Sequence, residues 1–263
     1  MTPAGQSLRR ERVVVGAGIS ALVLLAWGYL WQGAGMGMSA LDMTALALFP
    51  HLQIAPAGSM DASWTVVVGM WFVMMVAMMT PSVAPLVLLY GVVLRRHAGS
   101  NRQARGMTLA LLAGYLATWL LFSVAATVMQ EMLEPAGLLS GMMLWSRSAA
   151  LSAAVLATAG LYQMSPLKQA CLARCRSPVR FLTEHWRPGV AGAFGLGLRH
   201  GAFCVGCCGM LMALLFVGGV MNLVWIAALT ALVLTEKFLP AGPRFGMLTG
   251  GVLIVWAIAT LLV

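Results

Sequence analysis

One apolar stretch of the sequence holds several side chains whose atoms bind soft metals. The stretch is RHGAFCVGCCGMLM, from Arg199 to Met212. Its candidate ligands are His200, Cys204, Cys207 and Cys208. A helix turns by about 100° per residue, so all four side chains fall within roughly 100° of arc on one helix face. An imidazole and three thiols on one face suit Cu(I) or Zn(II), and the alternative is that the cysteines are small apolar fillers.

A second stretch, MWFVMMVAMMTPS, offers thioether sulfur. Its methionines are Met70, Met74, Met75, Met78 and Met79. On a helix they form a broad stripe over about half the circumference. Thioether together with thiolate selects Cu(I), and thioether is a poor ligand for Zn(II), so Cu(I) is the first choice of metal. Packing by flexible methionine side chains is the alternative interpretation.

A third stretch, SPLKQACLARCRSP, places two more cysteines beside basic residues. Ser165 and Pro166 are typical of a helix start, which puts Cys171 and Cys175 one turn apart on one face of a short helix. The neighbouring cations are Lys168, Arg174 and Arg176. They are expected to lower the pKa of both thiols, which predicts a pair of thiolates that exchanges metal with the cytosol. Cysteines that merely accompany lipid-binding arginines are the alternative.

Composition identifies the elements that must position these ligands. The chain of 263 residues is 61% hydrophobic and only 9% charged, whereas soluble domains are about 25% charged. This predicts an all-α, polytopic membrane helical bundle. The candidate spans are Val13–Trp31, Trp64–Pro85, Thr108–Gln130, Met142–Tyr162, Ala193–Val217, Asn222–Thr235 and Phe245–Val263. Pro81 and Pro85 predict a kink or break, with the rest of that apolar segment lying at the membrane surface.

The basic residues predict the orientation of the bundle. Of the 16 lysines and arginines, all but Arg147 and Arg199 lie in segments that share one side if seven helices cross with the N-terminus inside. This placement in short loops argues against nucleic-acid binding. We expect one transmembrane domain in a bacterial inner membrane. It comprises an N-terminal helix and outer loop (1–63), with a short interfacial helix near Leu41–Phe49, and a metal-binding helical core (64–263).

Helical rise also predicts which ligands lie at the same depth. Counting about 1.5 Å per residue from the edges of a core about 30 Å thick places Met74 level with Cys204 and Met70 level with Cys208. His200 falls near Met78. If the second and fifth spans touch, they enclose a column of sulfur ligands through which a metal ion could move by ligand exchange.

The three motifs together resemble a bacterial family of predicted metal-binding integral membrane proteins, catalogued as a domain of unknown function. The resemblance covers the chain from about Trp64 to the C-terminus and rests on MWFVMMVAMMTPS, YQMSPLKQACLARCRSP and GLRHGAFCVGCCGMLM. It implies metal binding. Family members commonly have an aromatic residue after the cysteine pair, where this chain has Gly209, so another ring such as Trp71 is a candidate to close the pocket beside Cys208.

These observations predict a protein that binds, and transports or transfers, Cu(I). Its partners would be the lipid bilayer and a metallochaperone or another membrane subunit. The sequence contains no GxxxxGK[ST] motif and no sign of a bound nucleotide. An enzyme is not expected, although a membrane thiol oxidoreductase that passes electrons to quinone stays an alternative. Mercuric-ion uptake and a purely structural role in a membrane complex are the others.

Overall fold

The computed structural model describes residues 3–34, 40–48, 63–97, 100–139 and 145–262. Regular secondary structure in these ranges is helical, and the only bridge between extended residues joins Leu139 to Ser146. The helices are α1 (Pro3–Trp31), α2 (Ala40–Leu48), α3 (Trp64–His97), α4 (Asn101–Leu133), α5 (Ala149–Met164), α6 (Pro166–Cys175), α7 (Pro178–His185), α8 (Gly189–Ala213), α9 (Leu215–Gly218), α10 (Leu223–Phe238) and α11 (Gly242–Leu262). The prediction of an all-α chain is confirmed.

Five helical segments in the described part of the chain are long and apolar enough to cross a membrane, and one of them joins α8 and α9. They lie in Val13–Trp31, Trp64–Leu94, Arg102–Leu133, Gly189–Gly218 and Arg244–Leu262. The other two predicted spans correspond to α5 and α10, which have 16 residues each. Each predicted segment therefore contains a helix, although α5 begins only at Ala149 and α10 at Leu223. Seven crossings and an inward N-terminus stay predictions. The short helix expected near Leu41–Phe49 corresponds to α2, and most of the surrounding loop lies outside the described residues.

Of the kink or break predicted at Pro81 and Pro85, the break is wrong. α3 continues as one helix of 34 residues through both prolines. A proline lacks the N–H that would bond to the carbonyl one turn earlier. The carbonyls that lose a donor in this way are those of Ala77 and Pro81. Between them, the Met79 carbonyl accepts from Ser82 Oγ at 2.8 Å and from Tyr115 OH at 2.9 Å, which ties this part of α3 to α4.

Serine caps set the start of three helices. Ser100, Ser148 and Ser165 accept hydrogen bonds from backbone N–H groups in the first turns of α4, α5 and α6. Ser165 is followed by Pro166 at the first helical position, which confirms the start predicted for the short cysteine-bearing helix. A single residue, Ser165, therefore separates α5 from α6, and this tight connection turns the cysteines of α6 back toward the bundle.

Glycines bring α4 and α8 into close contact, side by side and parallel. A Cβ atom on Gly114 would clash with the Phe194 carbonyl of α8, and one on Gly197 would clash with the Leu111 carbonyl of α4. α4 also packs extensively against α3, whereas α3 and α8 have little direct backbone contact. α4 thus lies beside both sulfur-bearing helices and fixes their relative positions.

Candidate metal centre

Four of the five cysteines form a buried thiol cluster, defined as Cys175, Cys204, Cys207 and Cys208. Cys207 Sγ lies 3.2 Å from Cys208 Sγ and 3.8 Å from Cys175 Sγ. Cys207 also donates to the Cys204 carbonyl at 3.3 Å. Thiolates that share one metal ion at bonds of about 2.3 Å stand roughly 4 Å apart. The Cys175–Cys207 pair, which joins α6 to α8, therefore has a separation suited to one ion.

Cys204 has a different environment from the other three thiols. Lys237 Nζ of α10 donates to Cys204 Sγ at 2.9 Å and to Ser82 Oγ at 3.0 Å. Tyr115 OH of α4 lies 3.1 Å from the same sulfur, and Ser82 Oγ lies 3.9 Å from it. An ammonium group and hydroxyl groups around one sulfur stabilise negative charge on it. The surrounding helices thus stabilise the anionic form of the Cys204 sulfur.

Lys237, Tyr115 and Ser82 were missed by the sequence analysis as parts of the site. A sixth span that ends at Thr235 places Lys237 in an inner loop, but α10 continues to Phe238 and buries Lys237. A signal was present, since this cation directly follows an apolar segment too short to cross by itself. Tyr115 carried a weaker signal, as a phenol within an apolar span needs a hydrogen-bond partner.

The predicted alignment of the second and fifth spans is wrong by about two helical turns. Cys204 lies beside Ser82 rather than Met74, and Trp71 packs on Phe216 with ring centroids 5.2 Å apart. At about 1.5 Å per residue these contacts place Met78 level with Cys208. The error arose from taking the ends of the apolar runs as the membrane edges, whereas α3 extends to His97 and α8 begins at Gly189.

The methionine stripe is nonetheless wholly inside the protein. Met70, Met74, Met75, Met78 and Met79 have no exposed surface. The corrected alignment places Met78 and Met79 nearest the level of the thiol cluster, and places Met74 level with Met212, which is also buried. Thioethers therefore continue from the level of the thiols toward the end of the bundle where α9 lies.

His200 lies beside the thiol cluster and not among its sulfur contacts. Its ring packs against Phe181 at 4.9 Å and Tyr115 at 6.0 Å between centroids. The side chain is 2% exposed, and its Nδ1 atom has no hydrogen-bond partner among the residues that the structure describes. A buried imidazole nitrogen without a partner is costly in a structural residue. This leaves a nitrogen ligand available about one turn of α8 from Cys204.

The two cysteines of α6 face different surroundings. Cys175 belongs to the thiol cluster, whereas Cys171 is half-buried and its Sγ lies against Gly206 of α8. Burial raises the pKa of the Cys171 thiol, and the nearby Arg174 opposes this shift only in part. The expectation that the pKa of this thiol lies below its usual value is therefore wrong, because burial outweighs the nearby cation.

The other two cations of the SPLKQACLARCRSP motif, Lys168 and Arg176, bind groups other than the cysteine thiols. Lys168 Nζ is buried and pairs with Glu236 Oε2 at 2.6 Å, and Gln163 Nε2 donates to Glu236 Oε1 at 2.7 Å. Arg176 donates to the Leu239 and Pro240 carbonyls. These contacts attach α6 to α10 and so hold Cys175 near Lys237.

An apolar cavity of about 380 Å³ lies beside Gly209. Four aromatic rings line it, those of Trp71, Phe122, Tyr162 and Phe216. Trp71 also donates to Gln130 Oε1 at 2.9 Å, which fixes its ring. The aromatic position that Gly209 leaves empty is thus surrounded by rings from other helices, Trp71 among them.

The candidate ligand atoms are not arranged around one common point. Within the described ranges, no three His, Cys, Asp or Glu side chains are gathered as one metal site. Cys207 has a sulfur neighbour on either side, while a lysine binds the third thiol of α8, Cys204. This arrangement suits an ion with a low coordination number, and Cu(I) is stable with two thiolate ligands. The geometry defines a helical protein with buried soft ligands on several packed helices.

A comparison with known protein families agrees with a helical protein that holds buried soft ligands. A family model described as PpoB2, copper chaperone, matches residues 68–260, and the chain belongs to that family. The resemblance inferred from the three motifs is thus confirmed at the level of a copper-related family. No curated protein and no solved structure matches the chain.

Proposed function

We propose that this protein is an integral membrane copper chaperone of the bacterial inner membrane that binds Cu(I) at the thiol cluster and transfers it to a partner. The observation that carries the proposal is the contact of Cys207 Sγ with the sulfurs of Cys208 and Cys175, at 3.2 and 3.8 Å, in the interior of a copper chaperone family member. Soft thiolate sulfur selects Cu(I) over the harder ions.

The proposed ligands have distinct roles. Cys207 with Cys175 or Cys208 holds the ion, and Cys204 is an anionic sulfur whose charge Lys237 balances. Met78 and Met79 supply weaker thioether contacts that let the ion move between sites, and Met70, Met74 and Met75 extend that path. His200 and Cys171 are peripheral ligands for exchange. The proposed role is binding and transfer without catalysis.

Cu(I) retention by the purified protein tests this proposal. The reduced protein in detergent is loaded anaerobically and then challenged with a chromophoric Cu(I) chelator. We expect wild type to retain stoichiometric copper and Cys207→Ser to lose it. Met107→Leu, a buried methionine of α4 outside the stripe, is the matched sulfur control and should behave as wild type.

The alternatives give different results in the same preparation. Retention of copper by Cys207→Ser and by Cys175→Ser would contradict the proposed ligands. Quinone-dependent oxidation of the thiols without copper binding would instead support a thiol oxidoreductase, and selective retention of Hg(II) would support mercuric-ion uptake. A wild-type protein that binds no metal and does no thiol chemistry would have a structural role.

A further inference from the structure

A basic cavity lies at the start of α8, away from the thiol cluster. Its volume is about 520 Å³, and the described residues that line it include His185, Arg187 and Arg199 but no carboxylate. The end of the bundle where it lies is also the end where α4 begins, since α4 and α8 run parallel. A cavity that offers cations and no anion of the protein is suited to an anionic ligand.

The two arginines have no ion-pair partner within the described part of the chain. Arg199 is ten residues beyond Gly189, so it lies roughly 15 Å along an apolar helix. A cation at such a position must reach the headgroup region or find an anion nearby. Its presence in the cavity lining shows that it reaches into this opening.

Small residues of α8 give the cavity its shape. A Cβ atom on Gly195 would meet nothing within 4 Å, so this position leaves open space. Gly192 allows the backbone of Arg187 to pack directly on the helix. The result is a trough along α8 with Arg187 at one end and Arg199 at the other.

Apolar residues also line the trough, namely Pro188, Ala191 and Leu196. Trp186, Val190 and Phe194 are 37%, 57% and 39% exposed and make the surface around this end of α8 apolar. Tryptophan favours the boundary between headgroups and hydrocarbon, and exposed aliphatic and phenyl groups suit lipid chains. A ligand with both a negative headgroup and apolar chains could therefore contact the cations and the apolar side chains at the same time.

We propose that this cavity is a binding site for an anionic phospholipid, whose phosphate contacts Arg187 and Arg199 and whose acyl chains lie along Ala191 and Leu196. Basic pockets between membrane helices recognise acidic headgroups in this way. The site requires the membrane placement proposed above, but it does not depend on copper binding.

Native mass spectrometry of the copper-free protein in detergent tests the site. The protein is titrated with phosphatidylglycerol, with phosphatidylcholine of the same acyl chains, and with inorganic phosphate. We expect wild type to prefer phosphatidylglycerol. Arg187→Gln combined with Arg199→Gln should bind it roughly 25-fold more weakly, from about a fivefold loss for each cation. Arg102→Gln combined with Arg244→Gln, two exposed arginines outside the cavity, should bind as wild type.

A second variant separates lipid binding from misfolding. Gly195→Leu keeps both cations and fills the open trough, so it should also weaken phosphatidylglycerol binding. Equal affinity for the two lipids, or an equal loss in the control pair, would overturn the proposal. Displacement of the lipid by equimolar inorganic phosphate would show a general anion site and would overturn it too.

Discussion

Lys237 Nζ lies 2.9 Å from Cys204 Sγ in the interior of the helical bundle. α10 places this ammonium group against α8, and the same nitrogen donates to Ser82 of α3 at 3.0 Å. One lysine thus connects three helices at the level of the thiol cluster. Since an unpaired charge is costly in an apolar interior, lysine and sulfur each account for the presence of the other.

Replacing Lys237 should weaken copper binding. Lys237→Met removes the positive charge that balances a copper–thiolate complex, and hydrogen bonds to charged groups are worth enough to change affinity by roughly ten- to a hundredfold. Competition with a chromophoric Cu(I) chelator measures the change. Lys237→Arg keeps the charge and should recover part of the affinity, whereas unchanged affinity in Lys237→Met would contradict a role for the lysine at the site.

The buried Lys168–Glu236 pair should stabilise the connection of α6 to α10. Glu236→Leu leaves Lys168 as an uncompensated buried charge, which we expect to cost about 3–5 kcal/mol of unfolding free energy. Adding Lys168→Met should restore most of that loss, because no buried charge then remains. Thermal unfolding of the single and double variants in detergent measures both effects, and a double variant as unstable as Glu236→Leu would refute this explanation.

Close packing of α4 on α8 should depend on Gly197. Gly197→Val places side-chain atoms against the Leu111 carbonyl, where only a hydrogen fits. We expect a loss of about 1–3 kcal/mol in unfolding free energy and weaker Cu(I) binding, since Tyr115 moves away from Cys204. Gly195→Ala on the same helix meets no neighbouring atom within 4 Å and should be as stable as wild type. Equal stability of the two variants would count against this packing.

Cys171 should react slowly with iodoacetamide at neutral pH. The thiolate is the reactive form, and burial raises the pKa of this thiol, so the alkylation midpoint should lie above the usual value of roughly 8.5. Arg174→Ala removes the cation that lowers this pKa and should move the midpoint higher still. Peptide-resolved mass spectrometry across a pH series gives the midpoint, with Arg102→Ala as the control. A midpoint at or below 8.5 in wild type would be inconsistent with the buried position.

The helices could be predicted from the sequence with few errors. Long apolar runs and serine caps located them because both signals are local. The relative depth of Cys204 and Met74 could not be obtained in the same way. It depends on the packing of Gly114 and Gly197 between α4 and α8, and on how far α3 extends beyond its apolar run.

Only part of the candidate site could be predicted from the sequence. Sulfur and imidazole ligands are recognisable by residue type, and the structure brings Cys204, Cys207 and Cys208 together with Cys175 of α6. Lys237 and Tyr115 reach Cys204 from other helices. The sequence indicates that both side chains need a partner, but which partner they find follows from tertiary packing. Burial raises the pKa of Cys171 against the effect of Arg174, and the extent of that burial follows from how α6 packs on α8.

X-ray absorption at the copper K-edge tests the central claim most directly. The protein loaded with one equivalent of copper should show a Cu(I) edge with two or three sulfur neighbours and no light-atom shell at bonding distance. Cys207→Ser should abolish that spectrum. Copper bound only by nitrogen or oxygen in wild type, or an unchanged sulfur shell in Cys207→Ser, would contradict a copper site at the thiol cluster.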